Sequence, residues 1–127
     1  MAPGTPRYGR AVTSWARRYA FVPRYGREEQ LSLHTADGVR LAGARLVGPP
    51  DAPATVVLVH GLGHSSRTPR VHEFARRLAR EVHVLVPELR GHGRSGGKCT
   101  LGRDEPLDVA AAVAAASPDL PVVTMGI

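Results

Sequence analysis

The chain has 127 residues, 43% of them hydrophobic and 22% charged, with one cysteine and a formal net charge of +6. This is the composition of one globular domain, which excludes a second domain, a disulfide-stapled scaffold and a cysteine-rich metal site; no apolar run approaches the roughly 20 residues that cross a bilayer. The charge is uneven, because residues 1–27 hold six arginines and no acid whereas residues 28–127 balance 11 basic against 11 acidic side chains, so the body lacks the basic face of a nucleic-acid-binding domain.

Two segments are expected: a basic N-terminal arm over 1–27 and an α/β domain over 28–127. In the arm, Val12, Trp15, Tyr19 and Val22 recur at helical spacing around Arg17 and Arg18, and Pro23 closes the run. That predicts a short amphipathic helix docked on the domain through Trp15, with contact to a membrane surface as the alternative. Arg17-Arg18 is not an export signal, since Pro23, Arg24 and Tyr25 interrupt the apolar stretch that should follow. With a single thiol, Cys99, the expected location is cytoplasmic.

From Glu28 the pattern alternates, with Leu31 and Leu33 on one face, and Asp37-Gly38 predicts a tight hairpin turn. The return strand spans about Val39 to Val47, with a bulge or a close backbone approach expected near Gly43. After the Gly48 to Pro53 loop, Thr55 to Val59 is a continuous β-branched and apolar run, the signature of a strand buried on both faces of a parallel sheet. Val71, Phe74, Ala75, Leu78 and Ala79 then fall on one stripe of a helix expected over about Pro69 to Glu81. Val82 to Val86 reads as a second buried strand. An Ala-rich helix is expected over about Pro106 to Ala116, packed through Leu107, Ala110, Ala111 and Ala114. Val122 to Met125 reads as a third buried strand. A hairpin followed by strand, helix, strand, helix, strand is an α/β pattern built on a parallel sheet with crossover helices.

In such a sheet ligands sit at the carboxyl ends of the strands, here the loops after Val59, Val86 and Met125. The first loop, His60-Gly61-Leu62-Gly63-His64-Ser65-Ser66, is glycine-rich and leaves the Leu62 and Gly63 N–H groups free to meet a ligand. Two chemistries use such a loop. One is an oxyanion hole for acyl transfer; the other is a pyrophosphate cradle for a dinucleotide, with Gly61-x-Gly63-x-x-Ser66 entering a helix and Glu88 binding ribose. A serine in place of the third glycine and a hairpin ahead of the first parallel strand weigh against the dinucleotide.

His60-Gly61-Leu62-Gly63-His64-Ser65 after one buried strand and Leu89-Arg90-Gly91-His92-Gly93-Arg94-Ser95 after the next resemble the α/β-hydrolase fold enzymes, especially their serine aminopeptidase-like and monoacylglycerol lipase-like branch. The resemblance covers about residues 28–127 and implies the N-terminal part of that fold. It implies a serine hydrolase acting through an acyl-enzyme on a small or lipid-like ester, amide or thioester, with no cofactor, no metal and no nucleic-acid partner. Leu62 would supply one oxyanion N–H, supported by His60, Gly61 and Gly63. Gly126 and Ile127 match the first two positions of the family's nucleophile elbow, Gly-x-Ser-x-Gly. The nucleophile, acid and base would therefore fall after Ile127, making the chain a truncated, inactive piece with Val122, Val123, Met125 and Ile127 facing water. The resemblance gives His60 and His92 structural roles in the two loops. The spacing of the remaining histidines, His34, His64, His72 and His83, fits no metal site. The Arg90 to Gly97 run reads as a solvated, glycine-punctuated turn.

Overall fold

Alternating apolar residues in the first half of the domain build an antiparallel pair, β1 (Glu28–His34) and β2 (Arg40–Leu46), in unbroken register from Glu28 opposite Leu46 to His34 opposite Arg40. The computed structural model describes residues 27–127; the amphipathic helix expected in the arm lies outside the described residues. The connection is longer than a two-residue turn. Thr35 donates its N–H to the Val39 carbonyl at 2.9 Å and its hydroxyl oxygen accepts the Val39 N–H at 2.9 Å, while Gly38 takes the left-handed φ of +84°. Gly43 marks a close approach rather than a bulge. Its register with Leu31 and with Pro87 is continuous on both sides, and a Cβ there would stand 2.4 Å from the Val86 carbonyl oxygen.

The remaining elements are β3 (Thr55–Val59), α1 (Pro69–Leu78), β4 (His83–Pro87), α2 (Glu105–Ala115) and β5 (Val122–Gly126). They complete a five-stranded sheet in the order β1-β2-β4-β3-β5, with β4, β3 and β5 mutually parallel and β2 antiparallel to β4. The carboxyl ends of the three parallel strands therefore lie along one edge of the sheet, where the crossover rule places ligand sites.

The two helices cover opposite faces. Val71, Ala75 and Ala79 of α1 and the residue after it pack on Ala44, Leu46, Leu58, Val84 and Val86; Ala112 of α2 packs with Leu31, Leu33, Leu41, Val57 and Leu85. Leu41, Leu58 and Val57 are completely buried, each contributing about 1.5–3 kcal/mol of apolar transfer. Pro69 sits in the first turn of α1, where its missing N–H costs nothing, and Arg76 and Arg77 occupy the last turn, complementing the helix dipole.

Two expectations change. The buried positions of α2 are Asp108 and Ala112, flanked by Ala111 and Ala115, while Ala110 and Ala114 face solvent. The stripe rotates because Asp108 is drawn inward by an ion pair described below. Among the described residues β5 pairs with β3 alone, yet Val122 and Met125 are half-buried against the two cores, and it is Val123 and Ile127, each 47% exposed, that face water. No helix among the described residues is long and apolar enough to cross a membrane.

Candidate functional site

The loop after β3 is held by its first residue. His60 is buried; its Nδ1 donates to the Gly61 carbonyl at 2.8 Å, and its Nε2 accepts the Leu89 N–H at 3.0 Å. A carbonyl at one nitrogen and an N–H at the other fix the neutral tautomer with its proton on Nδ1. Burial lowers the His60 pKa below the usual 6.5, against the opposing pull of the Gly61 carbonyl. The imidazole thereby ties the loop after β3 to the loop after β4. The His92 ring stands edge-on to it, centroids 5.1 Å apart, and donates Nδ1–H to the Arg90 carbonyl at 3.0 Å.

Beyond His60 the chain makes a turn. The Gly61 carbonyl also accepts the His64 N–H at 3.1 Å, and Gly63 takes a φ of +77°, a conformation that glycine adopts without strain. Leu62, at the tip, is 72% exposed. Neither the Leu62 nor the Gly63 amide donates to an acceptor among the described residues, so both N–H groups are available to an anionic or carbonyl oxygen. The end of β5 lies alongside: Ile127 donates its N–H to the Val59 carbonyl at 3.0 Å, and a Cβ on Gly61 would stand 3.5 Å from the Ile127 carbonyl oxygen. A groove of about 620 Å³ opens beside them, lined by His64, Val71, Phe74 and Ile127 and by charged residues of α1.

The loop after β4 combines a buried polar base with a solvated, glycine-punctuated turn: Glu88, Arg90 and His92 are buried, while Gly91, Gly93, Arg94, Gly96 and Gly97 are exposed. Glu88 is fully buried; its Oε1 accepts the Ser66 hydroxyl at 2.8 Å and its Oε2 accepts the Arg94 N–H at 2.7 Å. Burial pushes the Glu88 pKa up, but the bonds from Arg94 and Ser66 outweigh it and leave the carboxyl below its usual value. Gly93, with φ +52°, passes so close that a Cβ would meet Glu88 Oε2 at 2.5 Å. Both carboxylate oxygens are committed inside the protein, so no ribose can reach them, and the dinucleotide reading of Gly61, Gly63 and Glu88 fails on this side chain.

Arg90 is likewise buried, only 4% of its side chain exposed. Its guanidinium reaches Asp37 at the hairpin tip at 2.8 and 3.0 Å and Asp108 of α2 at 2.8 and 3.0 Å, and its backbone N–H donates to Asp108 at 2.8 Å. The Arg90 guanidinium, followed by the Thr35 hydroxyl, holds the Asp37 carboxyl at about 2.

Gly93-Arg94-Ser95-Gly96-Gly97 spells Gly-x-Ser-x-Gly, but the structure places it away from any strand-to-helix turn. The Ser95 hydroxyl donates to the Glu88 carbonyl and accepts the Ala42 N–H at 2.9 Å, which joins the loop to β2 and leaves no free nucleophile. Thus His60, Gly61, Leu62 and Gly63 come together at the carboxyl edge of the sheet with Ile127. The Asp37–Arg90–Asp108 clamp and the Ser66–Glu88 and Ser95 bonds were missed by sequence reasoning. One signal was available: Asp108 lies four residues before Ala112, at the buried phase of an otherwise alanine-rich helix. Among the described residues no group of three or more His, Cys, Asp or Glu could hold a metal ion.

A sequence profile of the Alpha/beta hydrolase family matches residues 56–126. Among solved structures, the chain is similar to an esterase from Pyrococcus furiosus, at 27% identity and a TM-score of 0.70 over 80% of this chain and 40% of that one. It is similar to an a/b serine hydrolase without lid from Xanthomonas campestris, at 26% identity and a TM-score of 0.69 over 79% of this chain and 50% of that one. A bottromycin epimerase solved with bottromycin A2 matches at 29% identity and a TM-score of 0.64, over 77% of this chain and 38% of that one. The chain spans half or less of the length of each.

Proposed function

The chain belongs to the alpha/beta hydrolase family, and from that premise we propose that it forms the oxyanion side of an acyl-transfer site in a serine hydrolase. The family alone does not set the reaction, since an epimerase shares the fold. The observation that carries the reading is the pair of unpartnered amides at Leu62 and Gly63, in a loop braced by buried His60 and standing beside the end of β5 at Ile127. The Leu62 N–H would donate to the oxygen of the tetrahedral intermediate, where charge develops, and the second donor, the nucleophile, the acid and the base would lie outside these 127 residues. The substrates of the whole protein would be small or lipid-like esters, amides or thioesters in the cytoplasm, as for the serine aminopeptidase-like and monoacylglycerol lipase-like branch.

The test uses two polypeptides, the 127-residue chain and one translated past the Ile127 codon, each treated with a fluorophosphonate probe and assayed with an aryl ester. The longer protein is expected to label and turn over, and the shorter to do neither. In the longer protein Leu62→Pro, which removes the donor N–H, should lower kcat by about 10²–10³ with little change in KM. Stoichiometric labelling of the 127-residue chain, or a following sequence without an in-frame Ser-x-Gly, would overturn the proposal.

A further inference from the structure

At the amino edge of the parallel strands the end of α2 roofs a pocket of about 170 Å³. Its floor follows from the alternation of the strands. Val57 and Leu85 point to the α2 side of the sheet, so Thr55 and His83, two residues earlier on β3 and β4, point there too, and the parallel register sets them side by side. Arg45 and Val47 close one wall, and Ala115 and Ala116 lie above. Thr55 and Leu85 are each 2% exposed, whereas Arg45, Val47 and Ala115 are half-buried and Ser117 is exposed; the pocket is closed against the sheet and opens towards Ser117. About 13 Å of strand separates it from the Leu62 loop at the other edge, so it stands apart from the acyl-transfer site.

Two polar groups of the floor are unspent. The Thr55 hydroxyl, although buried, has no hydrogen-bond partner among the described residues, and such a group is costly unless something in the pocket meets it. His83 Nδ1 accepts the Gly48 N–H at 2.9 Å, which places the imidazole proton on Nε2; Nε2 likewise has no partner among the described residues. The one formal charge in the lining, Arg45, donates to the Ala115 carbonyl at 3.3 Å, at the negative end of α2. Glu29, Glu81 and Asp119, which neighbour wall residues in register or in sequence, do not line the pocket.

We propose that this pocket is a binding site for a small, uncharged monocyclic alcohol of about the size of phenol. An apolar cavity of about 150 Å³ takes benzene, so a pocket of about 170 Å³ takes a six-membered ring with one further atom. A single hydroxyl can accept from His83 Nε2–H and donate to Thr55 Oγ1, which satisfies both floor groups at once while the ring packs on Leu85, Val47 and Ala115. An anion would meet the partial negative charge of the helix end and a cation would meet the Arg45 guanidinium; a neutral ligand meets neither penalty.

The measurement is isothermal titration calorimetry of the 127-residue chain with phenol, benzene and benzoate at neutral pH. Phenol is expected to bind with a dissociation constant of about 0.1–1 mM, and benzene and benzoate about fivefold more weakly or worse, the one lacking the hydroxyl and the other adding a charge. Thr55→Val keeps the shape and removes the hydroxyl, so it should weaken phenol about fivefold and leave benzene unchanged. Ala115→Leu fills the pocket and should abolish both; should it fail to fold, Thr55→Val decides alone. Four results would each overturn the proposal: no saturable binding of phenol, benzoate bound as tightly as phenol, an unchanged phenol affinity in Thr55→Val, or phenol binding retained by an Ala115→Leu chain with a native circular dichroism spectrum.

Discussion

Asp108→Ala is the substitution that most directly tests how the loop after β4 is held. Its carboxylate is fully buried and accepts three N–H groups from Arg90, at 2.8 Å from the backbone and at 2.8 and 3.0 Å from the guanidinium. Removing it strands the buried guanidinium with Asp37 as its remaining close partner and leaves the Arg90 amide without an acceptor. Deleting one member of a buried ion pair costs about 3–5 kcal/mol, because the other charge stays behind desolvated. Three charged hydrogen bonds at about 1.5–3 kcal/mol each would give more, but they are not additive and Asp37 retains part of the charge balance, so the lower range applies. Against a total stability of about 5–15 kcal/mol, that is about a fifth of the whole or more, and Tm should fall by about 15–30 °C for a domain of this size. Arg90→Met/Asp108→Leu strands no buried charge and should recover most of the loss. Urea unfolding followed by far-UV circular dichroism measures both. A cost below about 1 kcal/mol for Asp108→Ala, or a double variant no more stable than the single one, would refute the assignment of this pair as the clamp.

Two further outcomes follow from the same geometry. His60 is neutral in the fold and its pKa is lowered from 6.5 by burial, so the unfolded chain takes up the proton first; stability should be flat above about pH 6.5 and fall as pH drops through 6.5 towards the folded value. His60→Gln keeps a donor and an acceptor but cannot titrate, and urea midpoints across this range should lose that component of the slope; an identical slope would show that His60 is not its source. Gly93→Ala adds left-handed strain and drives a Cβ to 2.5 Å from buried Glu88 Oε2, whereas Gly63→Ala adds the strain with nothing within 4 Å, so Gly93→Ala should cost about 2–4 kcal/mol and Gly63→Ala about 1–2. Equal costs would mean that the Glu88 contact is not under load.

The architecture was legible because its signals are periodic. A double-faced β-branched run such as Thr55–Val59 and a stripe such as Val71, Ala75 and Ala79 each repeat at a spacing that one geometry alone satisfies. Gly43 was legible as a site of close approach for a related reason: a glycine inside a strand has no side-chain purpose, so its purpose is space. The polar interior was not legible. Asp37, Arg90 and Asp108 meet only after the hairpin, β4 and α2 have assembled, and nothing local in Arg90-Gly91-His92-Gly93 distinguishes a buried guanidinium from a solvated one. The phase of α2 failed for the same cause, since alanines at every position leave the stripe to be chosen by a single acid. Gly93-Arg94-Ser95-Gly96-Gly97 is the converse case, a local pattern whose Ser95 is consumed by β2 and Glu88.

The position of the Leu62 amide is inherited from three consecutive residues that lie outside its own loop. The Glu88 N–H donates to the Ala42 carbonyl of β2 at 2.8 Å, the Leu89 N–H to His60 at 3.0 Å, and the Arg90 N–H to Asp108 of α2 at 2.8 Å. One extended stretch is thus bonded in turn to the sheet, to the first loop and to the helix on the far face. His60 can brace Gly61 only while Leu89 keeps its place, and Leu89 is fixed on either side by neighbours whose side chains are themselves buried and paired. A loop with two glycines would otherwise sample many conformations, at an entropic cost to any ligand that must order it. Here that cost is met in folding, by a neutral imidazole and two buried charged residues, so that the free amides at Leu62 and Gly63 are directed before anything binds.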